Sequence, residues 1–266
     1  MSGLNNLGLL GCGNMGGAVA RGVIASNVLE ADKVFLFDPE PKAMEPLQQE
    51  GCIALGSPTE LFQKAEAIVL AIKPQVFKTF KLPTLPHDSK TIISVMAGIK
   101  TDALHRVFPI SYTIVRVMPN LGLSVGEGAT AIATDSIPEE AIRLAEIIFY
   151  SCGTTVRVEE NLIDAVTGVS GSGPMYFFEF IEALTQAGVN AGLDRDTAYR
   201  LALQTGKGSL KLLETSGDAP SNWSARVRSP GGTTAEAQKV LEEGGFQELL
   251  IRAVEAAVKR SKELSD

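Results

Sequence analysis

Three glycines in the stretch Gly11-Cys12-Gly13-Asn14-Met15-Gly16 constrain this chain more than any other feature. An apolar run, Leu7-Gly8-Leu9-Leu10, leads into them with the character of a buried strand, and Ala18 to Ile24 follows with helical spacing and no proline. Strand, glycine turn and helix is the order in which a backbone can wrap a pyrophosphate. The first glycine permits the tight turn, the second lets N–H groups approach the phosphates, and the third lets the helix lie close on the strand. The phosphates then rest on the helix N-terminus, where unpaired N–H groups and the helix dipole favour negative charge. Glycine turns alone are common, so the surroundings decide. A second apolar run, Val34-Phe35-Leu36-Phe37, ends at Asp38, 22 residues beyond Gly16, about where an acidic side chain meets the ribose hydroxyls of a dinucleotide. Gly11, Cys12, Gly13, Asn14, Met15, Gly16 and Asp38 are the resulting cofactor-binding candidates.

At 266 residues and 45% hydrophobic content, the chain can bury one large or two modest cores. A net charge of −7, with no basic stripe, argues against a nucleic-acid partner. No apolar run approaches the ~20 residues of a bilayer span, and no basic segment with a hydrophobic signal core opens the chain. No membrane partner and a cytoplasmic location are therefore expected. Cys12, Cys52 and Cys152 are widely separated in apolar surroundings and read as small buried residues. His87 and His105 have no companion carboxylate pattern, so no metal site is expected.

Strand and helix signals alternate through the first half. Lys42 to Gln49 predicts a helix, and Ser57-Pro58-Thr59-Glu60 has the form of a capping box with proline at the first helical position. Ala67 to Ile72, closed by Lys73-Pro74, is a continuous apolar run suited to a central parallel strand. Thr91 to Val95 and Thr113 to Val117 repeat it, with Thr101 as the expected cap of a helix between them. Ala129 to Ala133 and Thr154 to Val158 add strands around an amphipathic helix from Glu139 to Tyr150. The expected fold class is α/β, with an N-terminal Rossmann-like doubly wound parallel sheet over residues 1–160. Beyond it the strand signals stop. Residues 161–266 predict a C-terminal all-helical domain, in which Pro174 starts a long apolar helix to about Asn190. Gly206 and Gly208 lie inside the next helix, where each costs about 1 kcal/mol against alanine, and close helix packing is the expected compensation. So much apolar helical surface predicts dimerisation.

A second glycine turn, Ser229-Pro230-Gly231-Gly232-Thr233-Thr234, precedes a helix from Ala235 to Glu243, and Thr233 with Glu236 has capping-box spacing. The N–H groups of Gly232, Thr233 and Thr234 could converge on a small carboxylate there, although a plain proline-glycine turn explains the same residues. Ser170-Gly171-Ser172-Gly173-Pro174 permits close backbone approach at the domain junction. Lys73 and the pair Ala97-Gly98 fall at carboxyl ends of strands, where open α/β sheets bind ligands. No side chain offers a well-placed proton relay. Reducing a ketone needs a proton for the developing alkoxide, whereas a protonated imine needs only hydride.

With these residues in place, the sequence resembles the 1-pyrroline-5-carboxylate reductase family over nearly its whole length. The resemblance rests on Ala71-Ile72-Lys73-Pro74, Met96-Ala97-Gly98, Arg116-Val117-Met118-Pro119-Asn120, Asp164 to Gly168 with Ser170 to Pro174, and Ser229 to Thr234. It implies a Rossmann domain followed by an interlocked helical dimerisation domain, with homodimers that often assemble into homodecamers. It implies hydride transfer from NADH or NADPH to the imine carbon of 1-pyrroline-5-carboxylate, giving L-proline, with Ala71, Ile72, Lys73, Pro74, Ala97 and Gly98 near the cofactor. Ser229, Gly232, Thr233 and Thr234 would hold the substrate, with Thr234 and Ser229 as the catalytic candidates and Glu160 in the same neighbourhood. Asp38 would accept the ribose hydroxyls of NADH and oppose the extra phosphate of NADPH, so NADH is the expected preference. Leu121-Gly122, Pro58 and Arg226 depart from the family pattern. Two alternatives carry less: a β-hydroxyacid dehydrogenase, in which a lysine is followed four residues on by asparagine, whereas Lys207 is followed by Lys211; and a nucleotide-sensing protein, which has no use for the second turn.

Overall fold

Leu7, Leu9, Leu10, Ala67, Ile68, Val69 and Leu70 are all shielded from water, which requires a strand pair covered on both faces. The computed structural model, which describes residues 4–80, Leu82 and 84–265, supplies that cover. In chain order the elements are β1 (Leu7–Leu10), α1 (Asn14–Ala25), β2 (Val34–Phe37), α2 (Glu45–Gln49), β3 (Ile53–Ala54), α3 (Pro58–Lys64) and β4 (Ala67–Leu70). Next come α4 (Pro74–Thr79), β5 (Thr91–Ser94), α5 (Thr101–His105), β6 (Thr113–Met118), β7 (Gly128–Ala133), α6 (Glu139–Tyr150) and β8 (Gly153–Val158). Helices α7 (Ile163–Val166), α8 (Gly173–Asn190), α9 (Arg195–Ser216), α10 (Pro220–Arg226), α11 (Thr233–Glu243) and α12 (Phe246–Ser265) complete the chain.

The strands form one sheet in the order β3-β2-β1-β4-β5-β6-β7-β8. Helices α1, α2 and α6 bury Val19, Leu47 and Phe149 in the cluster on one face, while α3 and α5 bury Phe62 and Leu104 in the cluster on the other. This is the expected doubly wound arrangement. Each fully buried leucine or phenylalanine withdraws enough apolar surface to contribute about 1.5–3 kcal/mol. The order reverses between β1 and β4, so the carboxyl ends of those two strands flank the crevice in which such sheets bind ligands.

One pairing departs from a wholly parallel sheet: β7 runs antiparallel to β6. A single tight turn, Leu121–Val125, joins them, and a parallel return needs a crossover of a dozen or more residues. With α6 as its crossover, β8 pairs parallel to β7 again. The helix expected from Lys42 to Gln49 is broken into one turn at Pro41–Ala43 and the short α2. Pro46 stands in the first turn of α2, where its missing N–H costs nothing and no helix can continue through it from upstream. Ser57 caps α3 by accepting the Glu60 N–H at 3.2 Å, but the Glu60 carboxylate reaches back to the Gly56 N–H at 3.1 Å. Thr101 is the first residue of α5 and not its cap.

The chain divides into two compact units at Ser172/Gly173, and the segment from Ala256 onward belongs with the first. Residues 161–172, which the sequence assigns to the helical domain, make their contacts with the sheet unit. Ile163 is fully buried with Met118, Ala131 and Ala133, and Ser261 Oγ in α12 donates to Asp164 Oδ1 at 2.6 Å. The second unit is helical throughout. Its close helix approach falls at Gly188, where a Cβ would lie 3.0 Å from that of Ala198, whereas a Cβ at Gly208 would meet nothing within 4 Å. At Gly206 a Cβ would lie 3.4 Å from Ile181 Cδ1 of α8, so the expected close packing is present at Gly206 and absent at Gly208. Only Gly173, Thr185, Ala198 and Ala202 are buried along α8 and α9. Phe177, Phe178 and Leu201 remain 57%, 62% and 56% exposed.

Candidate active site

Gly11 adopts a φ of +101°, a region that side-chain-bearing residues rarely enter. A Cβ there would stand 2.7 Å from both the carbonyl carbon and the oxygen of Ala71. The turn is gripped from two strands: the Gly11 N–H donates to the Phe37 carbonyl at 2.9 Å, and the Ala71 N–H donates to the Leu10 carbonyl at 2.8 Å. A Cβ on Gly16 would collide with the Gly11 carbonyl, whereas one on Gly13 would enter open space. The three glycines thus divide the work as the sequence requires, with Gly13 at the point where a phosphate could approach. Gly13 is also the N-cap of α1 and supplies no side chain. The first bond into this cap is from the Gly17 N–H to the Gly13 carbonyl at 2.8 Å, so the Asn14, Met15 and Gly16 N–H groups precede the helical ladder. This cradle fits a pyrophosphate.

Asp38 ends β2 beside it. Its Oδ2 accepts the Cys12 N–H at 2.8 Å and its Oδ1 accepts the Glu40 N–H at 2.9 Å. A carboxylate offers about four acceptor positions, so the group that braces the glycine turn retains lone pairs for ribose hydroxyls. Burial, with Asp38 adding to it, pushes the Cys12 thiol up to about 12, which makes it a packing residue and no nucleophile. Cys52 and Cys152 are buried and free as well.

Ala71, Ile72, Lys73 and Pro74 follow β4 directly. Lys73 occupies the N-cap position of α4 with an exposed side chain and no ion-pair partner among the described residues. Ala97 and Gly98 follow β5. Gly98 has a φ of +72°, and a Cβ on it would come within 3.0 Å of the Leu264 backbone. Its lack of a side chain thus serves the seating of α12 on this loop. Asn120 was legible only as part of a motif. Its Oδ1 accepts the Gly122 and Ala129 N–H groups at 3.1 and 3.2 Å, and its Nδ2 donates to Ser170 Oγ at 3.3 Å. The departure Leu121-Gly122 has a local cause, since a Cβ on Gly122 would strike the Glu127 carbonyl. Pro58 is simply an N-terminal residue of α3.

Glu160 is turned to other work than the sequence suggests. Its Oε1 accepts the Thr101 N–H at 2.8 Å and pairs with Arg116 Nη1 at 3.1 Å. Arg116, a charge within the apolar run of β6, is only 2% exposed, and its Nε and Nη2 have no hydrogen-bond partner among the described residues.

The second glycine turn lies in the helical unit. The Gly232 N–H donates to the Ser229 carbonyl at 3.0 Å, and Gly231 has a φ of +68°, so Ser229 to Gly232 form a turn of the kind that proline followed by glycine favours. Gly232 is the N-cap of α11 without a side-chain bond, and the capping box expected from Thr233 and Glu236 does not form. Thr233 is already helical, so its hydroxyl is one position too late. Because the Gly232 N–H is spent within the turn, the groups left to meet an anion are the N–H groups of Thr233 and Thr234. Arg226, upstream in α10, stacks over Trp223 at 4.7 Å and pairs with Asp218 Oδ2 at 2.7 Å. It therefore fastens the segment that leads into the turn.

A glycine-built phosphate cradle at the switch point of a doubly wound sheet, followed by a helical unit with its own bare helix N-terminus, defines a dinucleotide-dependent oxidoreductase of the two-unit kind. Residues 160–264 match the model for pyrroline-5-carboxylate reductase dimerisation, and residues 6–98 match that for NADP oxidoreductases, coenzyme F420-dependent. A pyrroline-5-carboxylate reductase of Synechocystis is 38% identical over 97% of this chain and 97% of its own length. That of Escherichia coli K12 is 35% identical, with 97% and 98% covered. A pyrroline carboxylate reductase from Plasmodium falciparum, solved with NADP bound, superposes with a TM-score of 0.84 at 30% identity over 100% of both chains. The chain belongs to the pyrroline-5-carboxylate reductase family.

Proposed function

We infer that this chain reduces 1-pyrroline-5-carboxylate to L-proline. A nicotinamide nucleotide supplies the hydride, and the side chains and backbone of the protein bind and orient. The observation that carries this reading is the bare N-terminus of α11 behind the Ser229–Gly232 turn, in a member of this family. Two adjacent N–H groups at the positive end of a helix dipole suit a small carboxylate, and the Thr234 hydroxyl stands beside them for the ring nitrogen. Gly13, Asn14, Met15 and Gly16 receive the pyrophosphate, and Asp38 receives the ribose. Lys73, Ala97 and Gly98 follow β4 and β5 at the same edge of the sheet, and their backbone would meet the nicotinamide end of the nucleotide. Because the imine carries its positive charge before hydride arrives, the site needs no acid of its own. The free, buried cysteines suit a reducing cytoplasm.

The helical unit works as a dimer. Phe177, Phe178 and Leu201 are mostly exposed in one chain, and an apolar surface of this extent marks an interface between subunits. Light scattering on active enzyme should give at least twice the 28.2 kDa chain mass; an active monomer at assay concentration contradicts it.

Thr234→Ala should lower kcat/KM for pyrroline-carboxylate by roughly 10- to 150-fold, the worth of a hydrogen bond to a charged group. Nucleotide affinity should stay near its original value. Unchanged efficiency would reduce the second turn to a chain reversal.

The cofactor preference follows from Asp38, whose carboxylate meets ribose hydroxyls favourably and a 2′-phosphate unfavourably. NADH is the preferred donor, with Lys42 close enough in sequence to moderate the bias. Asp38→Ser should raise NADPH efficiency relative to NADH by roughly 5- to 30-fold, as expected for one like-charge contact of ~1–2 kcal/mol. Both nucleotides should also bind less tightly, because the Cys12 N–H loses its acceptor. A strong wild-type preference for NADPH, or a ratio unmoved by Asp38→Ser, contradicts the assignment.

A further inference from the structure

The loop from Val95 to Lys100 joins the end of β5 to α5 and carries Met96, Ala97 and Gly98 across the crevice side of the sheet. Its first half is tied to the neighbouring β4, where the Val95 N–H donates to the Leu70 carbonyl at 3.3 Å, and back to β5 itself, where the Met96 N–H donates to Ser94 Oγ at 3.4 Å. Its far end packs through buried Ile99 and makes one side-chain bond, to a carboxylate oxygen. Glu160 Oε1 accepts the Thr101 N–H at 2.8 Å and, on the same atom, meets Arg116 Nη1 at 3.1 Å. Arg116 stands in register with Ser94, the residue at which the loop departs. Glu160 is itself held from behind, since its N–H donates to Asp135 Oδ2. A closed frame results, running from β5 through the loop to Thr101, through Glu160 to Arg116, and back to β5 across the ladder.

An ion pair largely withdrawn from water adds little net stability over apolar packing, but it admits few geometries. Arg116 is 2% exposed while the Glu160 side chain keeps 28%, so the cation is fixed in the sheet and the carboxylate is the member that reaches out. Hydride transfer demands such fixity, because reacting atoms must meet at about 3–3.5 Å and a displacement of ~1 Å costs roughly 100-fold.

We propose that Arg116 and Glu160 are positioning residues, a strut that sets the Met96–Gly98 loop against the nicotinamide through the Thr101 N–H. This rests on the reading that Ala97 and Gly98 face the cofactor. Glu160 then acts on the reaction without touching substrate, which replaces the substrate-binding role that the sequence suggested for it.

Thr101→Pro isolates the link. Thr101 is the first residue of α5, a position that proline favours, and Lys100 before it has φ −76° and ψ 157°, the extended conformation that precedes proline. The substitution deletes one N–H and leaves the Arg116–Glu160 pair in place. In the full-length enzyme, kcat should fall about 10-fold or more, and the primary isotope effect with 4-deuterated NADH should rise. The NADH dissociation constant and the thermal midpoint should hold. Glu160→Gln, which keeps the shape and removes the charge beside Arg116, should show the same split between kcat and nucleotide binding, and it carries the test if the proline variant does not fold. Ala97→Val tests the reading beneath the inference, with the thermal midpoint as its control because Ala97 packs beside Met118 and Ile163: disturbed binding or turnover at an unchanged midpoint means that the loop meets the cofactor. Should Ala97→Val slow catalysis while Thr101→Pro and Glu160→Gln keep native kcat and isotope effect, the strut is wrong and the loop assignment stands. If all three leave catalysis and binding unmoved, the loop does not meet the cofactor and both fall. Loss of nucleotide binding and thermal stability in parallel with kcat would make the pair merely structural and overturn the proposal.

Discussion

The left-handed turn at Gly11, driven under the backbone of Ala71, is the contact on which the rest of the molecule depends. No side chain fits between those two peptides, so the ends of β1 and β4 can approach only around a glycine. Their approach has two results. It brings the carboxyl ends of the two strands that flank the switch point to one place, and it aims the start of α1 outward with nothing capping it. Asp38 adds the third side by holding the Cys12 N–H from β2. The cradle is therefore rigid before any ligand arrives, and little ordering cost remains to be met on binding.

The same physics is used twice. Helices α1 and α11 both begin at a glycine N-cap with no side-chain bond, Gly13 and Gly232. Serine or aspartate at either place would satisfy the helix internally and leave it less to offer an anion. Ser57 before α3 and Asp194 before α9 show the ordinary solution, each accepting a backbone N–H from the first turn. Helices α4, α5, α6 and α10 also start without a side-chain cap bond, so what sets α1 and α11 apart is the glycine turn that precedes each. Lys211, where a β-hydroxyacid dehydrogenase would place an asparagine, is instead an exposed partner of Glu214 at 2.7 Å, which leaves that alternative without its amide.

Most of the sheet was legible because its signals are local. Continuous apolar runs bounded by Lys73-Pro74 or by the glycine turn report strands buried on both faces, and the structure places β1, β2 and β4 on those runs. What the sequence hid depends on partners far along the chain. The reversal of β7 follows from a short connection, a geometric limit that no residue type announces. Thr101 reads as a cap because threonine favours caps, but the bond that fixes the start of α5 comes from Glu160, 59 positions away. Arg116 did leave a trace, as a lone charge inside an apolar strand, and a buried charge demands a counter-ion. Ile163, Asp164 and Ser261 pack with the sheet unit through contacts that periodicity cannot reveal. In the second turn, the spacing of Thr233 and Glu236 suggested a capping box, yet the turn shifts the cap to Gly232. That shift is what leaves two N–H groups unclaimed.

The central claim is that the two bare helix ends serve a nicotinamide nucleotide and a cyclic imino acid. It is tested most directly by following nicotinamide oxidation spectrophotometrically, with pyrroline-carboxylate and with a panel of 2-keto acids as acceptors. The account predicts turnover with the cyclic imine and none above background with the keto acids, since an alkoxide needs a proton that a protonated imine does not. Comparable turnover of a keto acid, or no oxidation with the imine, would contradict it.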